Sequence, residues 1–72
     1  MVNINKLKGK IVENDLTIEK LADIIGINRS TIYRKLNHEG ETFTIKEANL
    51  IARALNLTAE EVNAIFFSQV VA

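Results

Sequence analysis

The stretch LADIIGINRSTIYRKL, residues 21–36, decides the fold. Its apolar residues recur at helical spacing on both sides of Gly26, although a glycine costs a helix interior about 1 kcal/mol relative to alanine. At a helix end, a glycine supplies the left-handed conformation that a Cβ penalises, and the chain turns sharply there. The stretch therefore predicts two helices joined by a short turn over residues 26–28, with Asn28 as the cap of the second helix.

The residues on either side of this turn suit two closely packed helices. Ala22, four residues before Gly26, is small enough for a close approach, and Ile32, six residues after it, can plug the crevice between the helices. A small residue, a glycine and a branched apolar residue at this spacing describe a helix-turn-helix held at a fixed angle. We expect a valine at position 26 to be destabilising, because a Cβ there strains the backbone and crowds the turn.

The rest of the chain is also predicted to be helical, because proline is absent and strand-like alternation is hard to find. Thr17 is the expected N-cap of the second helix, and Thr-x-x-Glu capping boxes at 44–47 and 58–61 open a fourth and a fifth helix. Short helices must pack together, so we predict one all-α domain over residues 1–72, a compact five-helix bundle with its helix-turn-helix at about 17–36. The predicted core residues are, helix by helix, Ile4, Leu7, Ile11 and Val12; Leu21, Ala22 and Ile25; Ile32 and Leu36; Ile45, Ala48, Ile51, Ala52 and Leu55; and Val62, Ile65 and Phe66.

Composition limits the class of protein. The chain has no cysteine, hence no disulfide framework or thiolate metal site, and no stretch approaches the roughly 20 apolar residues of a membrane span. The formal net charge is zero, but residues 1–38 hold seven basic and four acidic side chains and residues 39–72 hold two and five. We expect a cytoplasmic protein, without membrane association, that can present a basic face.

The third helix is predicted to turn a polar arc outward, away from its core residues. Two guanidinium groups, a hydroxyl, a phenol and an amide lie on this arc, with no carboxylate. Arginine matches the O6/N7 edge of guanine or a phosphate, and short polar side chains near a helix start reach base edges. Such an array suits the major groove of DNA. The arc consists of Arg29, Ser30, Tyr33, Arg34 and Asn37.

This sequence resembles the lambda-repressor-like, Cro-type helix-turn-helix proteins of bacteria and their phages. The resemblance runs through LTIEKLADIIGINRSTIYRKLN, residues 16–37, and FTIKEANLIARALNLTAEEVNAIFF, residues 43–67. The family's small–glycine–apolar signature falls on Ala22, Gly26 and Ile32. The resemblance implies a five-helix domain that binds double-stranded operator DNA, often as a dimer, with its third helix (about residues 29–36) in the major groove.

The resemblance also implies roles for individual residues. Base contacts would fall on Arg29, Ser30 and Arg34. Many members place a phosphate-contacting glutamine at the first position of the second helix, where this chain has Ile18, so we expect Thr17 or the backbone amides of that helix terminus to make the contact. Asn28, Tyr33 and Asn37 would lie at the backbone or the groove edge, and Thr31 is the remaining predicted DNA-binding residue. Lys6, Lys8 and Lys10 are interpreted as the solvent-exposed face of the first helix or as phosphate contacts. Lys6 and Lys35 are expected to support binding to all DNA sequences alike.

Two hypotheses of function remain open. The first is a Cro-like phage or prophage repressor that acts by occupying an operator. The second is a protein-interaction module that keeps the helix-turn-helix core and binds another protein, as an antitoxin or an anti-repressor partner does. The arc without acidic residues favours the first, and a salt-dependent affinity for duplex DNA would separate the two.

Other kinds of site find little support in the sequence. No nucleophile–base pair or metal-ligand spacing is visible, so we expect no enzyme activity, cofactor, metal or small-molecule ligand. His38, beside Glu39 and Glu41, is interpreted as a solvated loop histidine. At the end of the chain, Phe66 should close the core. The apolar residues Phe67, Val70 and Val71 favour a homodimer contact over folding back on the first helix.

Overall fold

The computed structural model of the protein describes residues 2–37 and 43–67, and within them it contains five α-helices and no strand. The predicted all-α class and the helix-turn-helix are therefore confirmed. None of these helices is long and apolar enough to cross a membrane. The residues His38, Glu39, Glu41, Val70 and Val71, for which the sequence made predictions, lie outside the described residues. The helices are α1 (Ile4–Glu13), α2 (Ile18–Ile25), α3 (Arg29–Asn37), α4 (Ile45–Ala54) and α5 (Ala59–Phe66).

Side chains at the helix starts explain where each helix begins. Four N-cap side chains accept a hydrogen bond from the backbone N–H three residues on, and that of Asn28 accepts from the Ser30 N–H at 2.7 Å. In both predicted capping boxes a glutamate also accepts from the N-cap N–H, Glu47 at 2.8 Å and Glu61 at 2.9 Å. These bonds satisfy N–H groups that a helix start otherwise leaves unpaired. The four N-caps are Asn3, Thr17, Thr44 and Thr58.

Three connections, α1–α2, α2–α3 and α4–α5, use the same left-handed turn. In each, one residue adopts a positive φ and the next residue, which is apolar, donates its N–H to the carbonyl five residues before it at 2.9 to 3.1 Å. This is the closure of a Schellman motif, with the apolar residue packed on the core. The sequence predicted such a turn only at Gly26. The three turns are Asp15-Leu16 (φ 57°), Gly26-Ile27 (φ 77°) and Asn56-Leu57 (φ 53°).

The glycine in the central turn is needed for its backbone conformation rather than for space. A Cβ built on Gly26 would meet no atom within 4 Å, so the expected crowding of the turn is wrong. The positive φ remains, and it strains any L side chain placed there. Ala22, in the preceding helix, is fully buried, as predicted.

The core forms where the apolar faces of the five helices meet. Most of the predicted core residues are buried or packed against the buried cluster, but Val12 and Ile45 are 71% and 76% exposed. Leu7 and Ile11 define the inward face of α1. Val12 lies about 100° around the helix from Ile11, so it is outside that face. Ile45 lies at the edge of its stripe, in the first turn of α4. The buried residues are Leu7, Ile11, Leu21, Ala22, Ile25, Ile32, Leu36, Ala48, Ile51, Leu55, Ile65 and Phe66.

Candidate nucleic-acid interface

The outward side of α3 carries the polar arc that the sequence predicts. Ile32 and Leu36 fix the rotation of α3, because they are 1% and 5% exposed and pack in the core. The opposite side is open to solvent along the whole helix. Asn28, at the N-cap, is exposed and Thr31 is half-buried. We call the solvent-exposed set the exposed α3 face; it consists of Arg29, Ser30, Tyr33, Arg34 and Asn37.

Arg29 is tied to the neighbouring helix by two hydrogen bonds. Its Nε donates to Oδ1 of Asp23 at 3.2 Å and its Nη2 donates to Oδ2 at 2.7 Å. Both side chains remain about half-exposed, at 58% and 48%. These bonds lower the pKa of Asp23 and raise the pKa of Arg29, as expected of a bidentate pair of opposite charge.

Tyr33 is also bonded to α2, at Glu19, one turn before Asp23. Its hydroxyl donates a hydrogen bond to Oε2 of Glu19, which lowers the pKa of Glu19 and raises the pKa of Tyr33. A phosphate oxygen only accepts hydrogen bonds, so the phenol cannot donate to DNA while its hydrogen is given to Glu19.

Two carboxylates of α2 lie beside the polar arc, a feature that the sequence analysis did not predict. No carboxylate lies on α3 itself, but α2 places Glu19 and Asp23 beside it, and we call these two residues the carboxylate pair. Residues four apart share one side of a helix, so the pair faces Arg29 and Tyr33, which are also four apart. Sequence reasoning missed this juxtaposition because it treated α3 alone. The matching four-residue spacings on either side of Gly26 were the available signal.

The start of α2 is capped and partly apolar. The Thr17 hydroxyl accepts from the Lys20 N–H at 3.1 Å, and Ile18 is half-buried against the core. Beside it lies an open groove of about 370 Å³, lined largely by apolar side chains of α1 and α2. No three His, Cys, Asp or Glu side chains come together anywhere in residues 2–37 and 43–67 to hold a metal ion.

The lysines differ in how far they can reach a ligand. Lys6 and Lys8 are exposed on α1, whereas Lys10 pairs with Glu61, which raises the pKa of Lys10. Lys35 lies 3.4 Å from a Glu47 oxygen, with its ammonium over the Phe43 ring and its side chain 13% exposed. Lys35 is therefore directed to the contact between α3 and α4, and the expectation that it touches flanking phosphates is not supported by its position.

A family assignment can rest on two features of this structure. A glycine in the left-handed conformation joins α2 to α3, and α3 has a polar exposed face. The chain matches the Cro/C1-type HTH DNA-binding domain over residues 6–67. It belongs to this family. No curated protein matches the chain. The match runs from α1 to the end of α5, so it confirms the predicted resemblance and makes the bundle a DNA-binding domain of the helix-turn-helix type.

Proposed function

We propose that this protein is a sequence-specific transcriptional regulator that binds double-stranded operator DNA as a Cro-like phage or prophage repressor does. In this proposal the exposed α3 face enters the major groove, and the protein acts in the cytoplasm. The observation that carries the proposal is the orientation of α3. Burial of Ile32 and Leu36 turns Arg34 outward on the opposite side of α3. Arg29 is exposed at the start of the helix, beside α2, so both arginines can reach base edges.

The spacing of the outward side chains suits base reading. Arg29 and Arg34 are five residues apart, or roughly 7.5 Å along the helix, so they can address base pairs about two steps apart. Ser30 lies beside Arg29 at the start of α3, where recognition helices contact base edges. Thr31 and Asn37 complete the proposed contacts, at the groove edge.

The helix caps suit the phosphate backbone. Asn28 uses its side-chain oxygen to accept from Ser30, which leaves its amide hydrogens to donate to a phosphate. Thr17 likewise accepts from Lys20, but its hydroxyl also bonds the Glu19 carboxylate, so the backbone amides at the start of α2 are the better donors to a phosphate. Thr17 or these amides take the place of the phosphate contact that Ile18 cannot make.

Dimeric binding is part of the proposal. Phe67 follows the last residue of α5 and is 44% exposed, more than is usual for so apolar a side chain. A contact between two copies through this end of the chain would place two α3 helices on a two-fold symmetric operator. Phe67→Ser should shift the sedimentation of the protein from dimer to monomer, while the exposed Ile45→Ser should not.

A protein-interaction module remains the second candidate, and one observation favours it. The carboxylate pair offsets the charge of Arg29 and occupies the hydroxyl of Tyr33, so the exposed α3 face is less positive than its own residues suggest. A face with both signs of charge can also fit a protein surface.

Selection of bound sequences from a random duplex pool distinguishes the candidates. We expect a palindromic site to be enriched and its affinity to fall steeply with added salt. The matched control is the double variant Arg29→Ala/Arg34→Ala, which keeps the core and should enrich no site. If the wild-type protein enriches no sequence and retains no duplex even at low salt, the DNA-binding proposal is wrong and a protein partner becomes the better hypothesis.

A further inference from the structure

Among the residues that the structure describes, Asp23 holds the Arg29 guanidinium along one edge. A guanidinium is planar and carries five N–H donors in a fixed fork. The N–H of Nε and one N–H of Nη2 are given to Asp23. The opposite pair of donors, one on each Nη atom, lies at the far end of the group and points away from the carboxylate. Such an end-on pair matches the O6 and N7 acceptors of guanine.

Asp23 also limits what else Arg29 can do. The carboxylate belongs to α2, which packs against α3, so it fixes the plane of the guanidinium relative to the whole exposed α3 face. Without it, a long and flexible side chain could turn toward any nearby phosphate. Its negative charge, half-exposed at the same surface, additionally opposes the close approach of phosphates. Orientation and charge act in the same direction, against sequence-independent binding.

We infer that Asp23 is a specificity-determining positioning residue, which holds Arg29 with its end-on donors directed at a single guanine. This inference rests on the proposed function, because it assigns a role within the same DNA-binding surface. Asp23 itself touches no base. It raises the preference for the operator over other DNA by restricting Arg29 to one mode of contact.

The test compares Asp23→Asn with a charge-matched control. Asp15→Asn removes the same charge from an exposed position just before α2, and asparagine tolerates the positive φ of 57° found there. For each protein, the dissociation constant is measured for the selected duplex, for scrambled DNA, and for duplexes changed at one base pair at a time. Thermal melts show that each variant is folded, and Asp23→Ser provides a second variant that lacks the carboxylate.

We expect Asp23→Asn to bind scrambled DNA more tightly and to reduce the ratio of selected to scrambled affinity by at least about threefold. The lost preference should be confined to the base pair at which Arg29→Ala also loses discrimination. Asp15→Asn should shift both affinities together and keep the ratio. In an Arg29→Ala background, Asp23→Asn should no longer change the ratio, because Asp23 acts through Arg29.

Two other outcomes separate this inference from the proposed function. If Asp23→Asn and Asp23→Ser keep the wild-type ratio, as Asp15→Asn does, the positioning role is overturned while the wild-type preference for the selected duplex still supports DNA reading. If the wild-type protein binds selected and scrambled duplexes equally, or neither of them, both proposals are overturned.

Discussion

The carboxylates of α2 and those of α4 and α5 make similar bonds in different surroundings. Glu47 and Glu61 close capping boxes and also pair with lysines of neighbouring helices, where their side chains are only 18% and 28% exposed. Asp23, on α2, binds Arg29 at a position where its side chain is 48% exposed. Exposed ion pairs contribute little to stability, whereas bonds at packed helix starts contribute more. The first set therefore holds the scaffold together, whereas the role proposed for Asp23 is to orient a side chain of α3 for DNA.

Replacement of Ile32 should have the largest effect, because this residue joins the scaffold to the exposed α3 face. It is 1% exposed at the contact of α3 with the core. Ile32→Ala should lower the free energy of unfolding by about 2–5 kcal/mol, measured by urea denaturation. Val12→Ala is the control, since Val12 is 71% exposed and should change the free energy by less than about 0.5 kcal/mol. Equal effects of the two substitutions would mean that α3 is rotated from its observed position.

Substitutions in the left-handed turns should have the next largest effect on the free energy of unfolding. Gly26→Ala should cost about 1–2 kcal/mol of unfolding free energy, because alanine is strained at a φ of 77° even though its Cβ has room. Gly26→Asn should cost less, since asparagine tolerates this conformation. Asn56→Gly, at the equivalent turn between α4 and α5, should change the free energy little. If the Gly26→Ala variant has the same melting temperature as the wild type, this turn is not held in the left-handed conformation in solution.

The N-caps of α4 and α5 should contribute more to stability than the Asp23 carboxylate, which lies beside the exposed α3 face. Thr44→Ala and Thr58→Ala each remove an N-cap and its capping box, and each should cost about 0.5–2 kcal/mol in denaturant titrations. Asp23→Asn should lower the denaturation midpoint less than either cap variant, because its ion pair is largely solvent-exposed. A midpoint that falls as far for Asp23→Asn as for the cap variants would place Asp23 in the scaffold.

The pH dependence of the free energy of unfolding should also distinguish Glu47 from Asp23, by a smaller difference. Burial raises the pKa of Glu47, but the Thr44 N–H and Lys35 outweigh it and leave the pKa lowered, while bonds from Arg29 lower the pKa of Asp23. A carboxyl with a lowered folded-state pKa stabilises the fold above its unfolded pKa of about 4, and this stability is lost as pH falls through the folded-state pKa. Comparison of unfolding at pH values from 7 down to 2 should show that Glu47→Gln flattens the pH dependence. Asp23→Asn should flatten it less, because solvent screens its more exposed pair.

Much of the scaffold could be predicted from the sequence because its signals are local. A Thr-x-x-Glu capping box involves residues three apart, and a glycine at the end of an apolar stripe indicates a turn without knowledge of the rest of the fold. The turns at Asp15 and Asn56 were missed, although Asp and Asn are the residues after glycine that most readily adopt a positive φ. The exposure of Val12 and Ile45 was missed because helical spacing does not give the width of the buried stripe.

The exposed α3 face and its contacts were only half predictable. Arg29 and Tyr33 are both exposed, as predicted. The rotation fixed by Ile32 and Leu36 accounts for Tyr33, whereas Arg29 is exposed because it is the first residue of α3. The contacts of these two residues with Asp23 and Glu19 depend on the angle between α2 and α3, which the matching four-residue spacings do not give by themselves. For the same reason the position of Lys35 against Glu47 and Phe43 depends on where α4 packs.

Amide chemical-shift mapping tests most directly whether the exposed α3 face binds DNA. The isotope-labelled protein is titrated with the selected duplex, and the shift change is recorded at each backbone amide. The largest changes should fall at residues 28–34 and at the start of α2, near Thr17, while the amides of α4 and α5 change little. Largest changes in α4 or α5 with α3 unaffected, or no changes at any amide, would contradict DNA binding through α3.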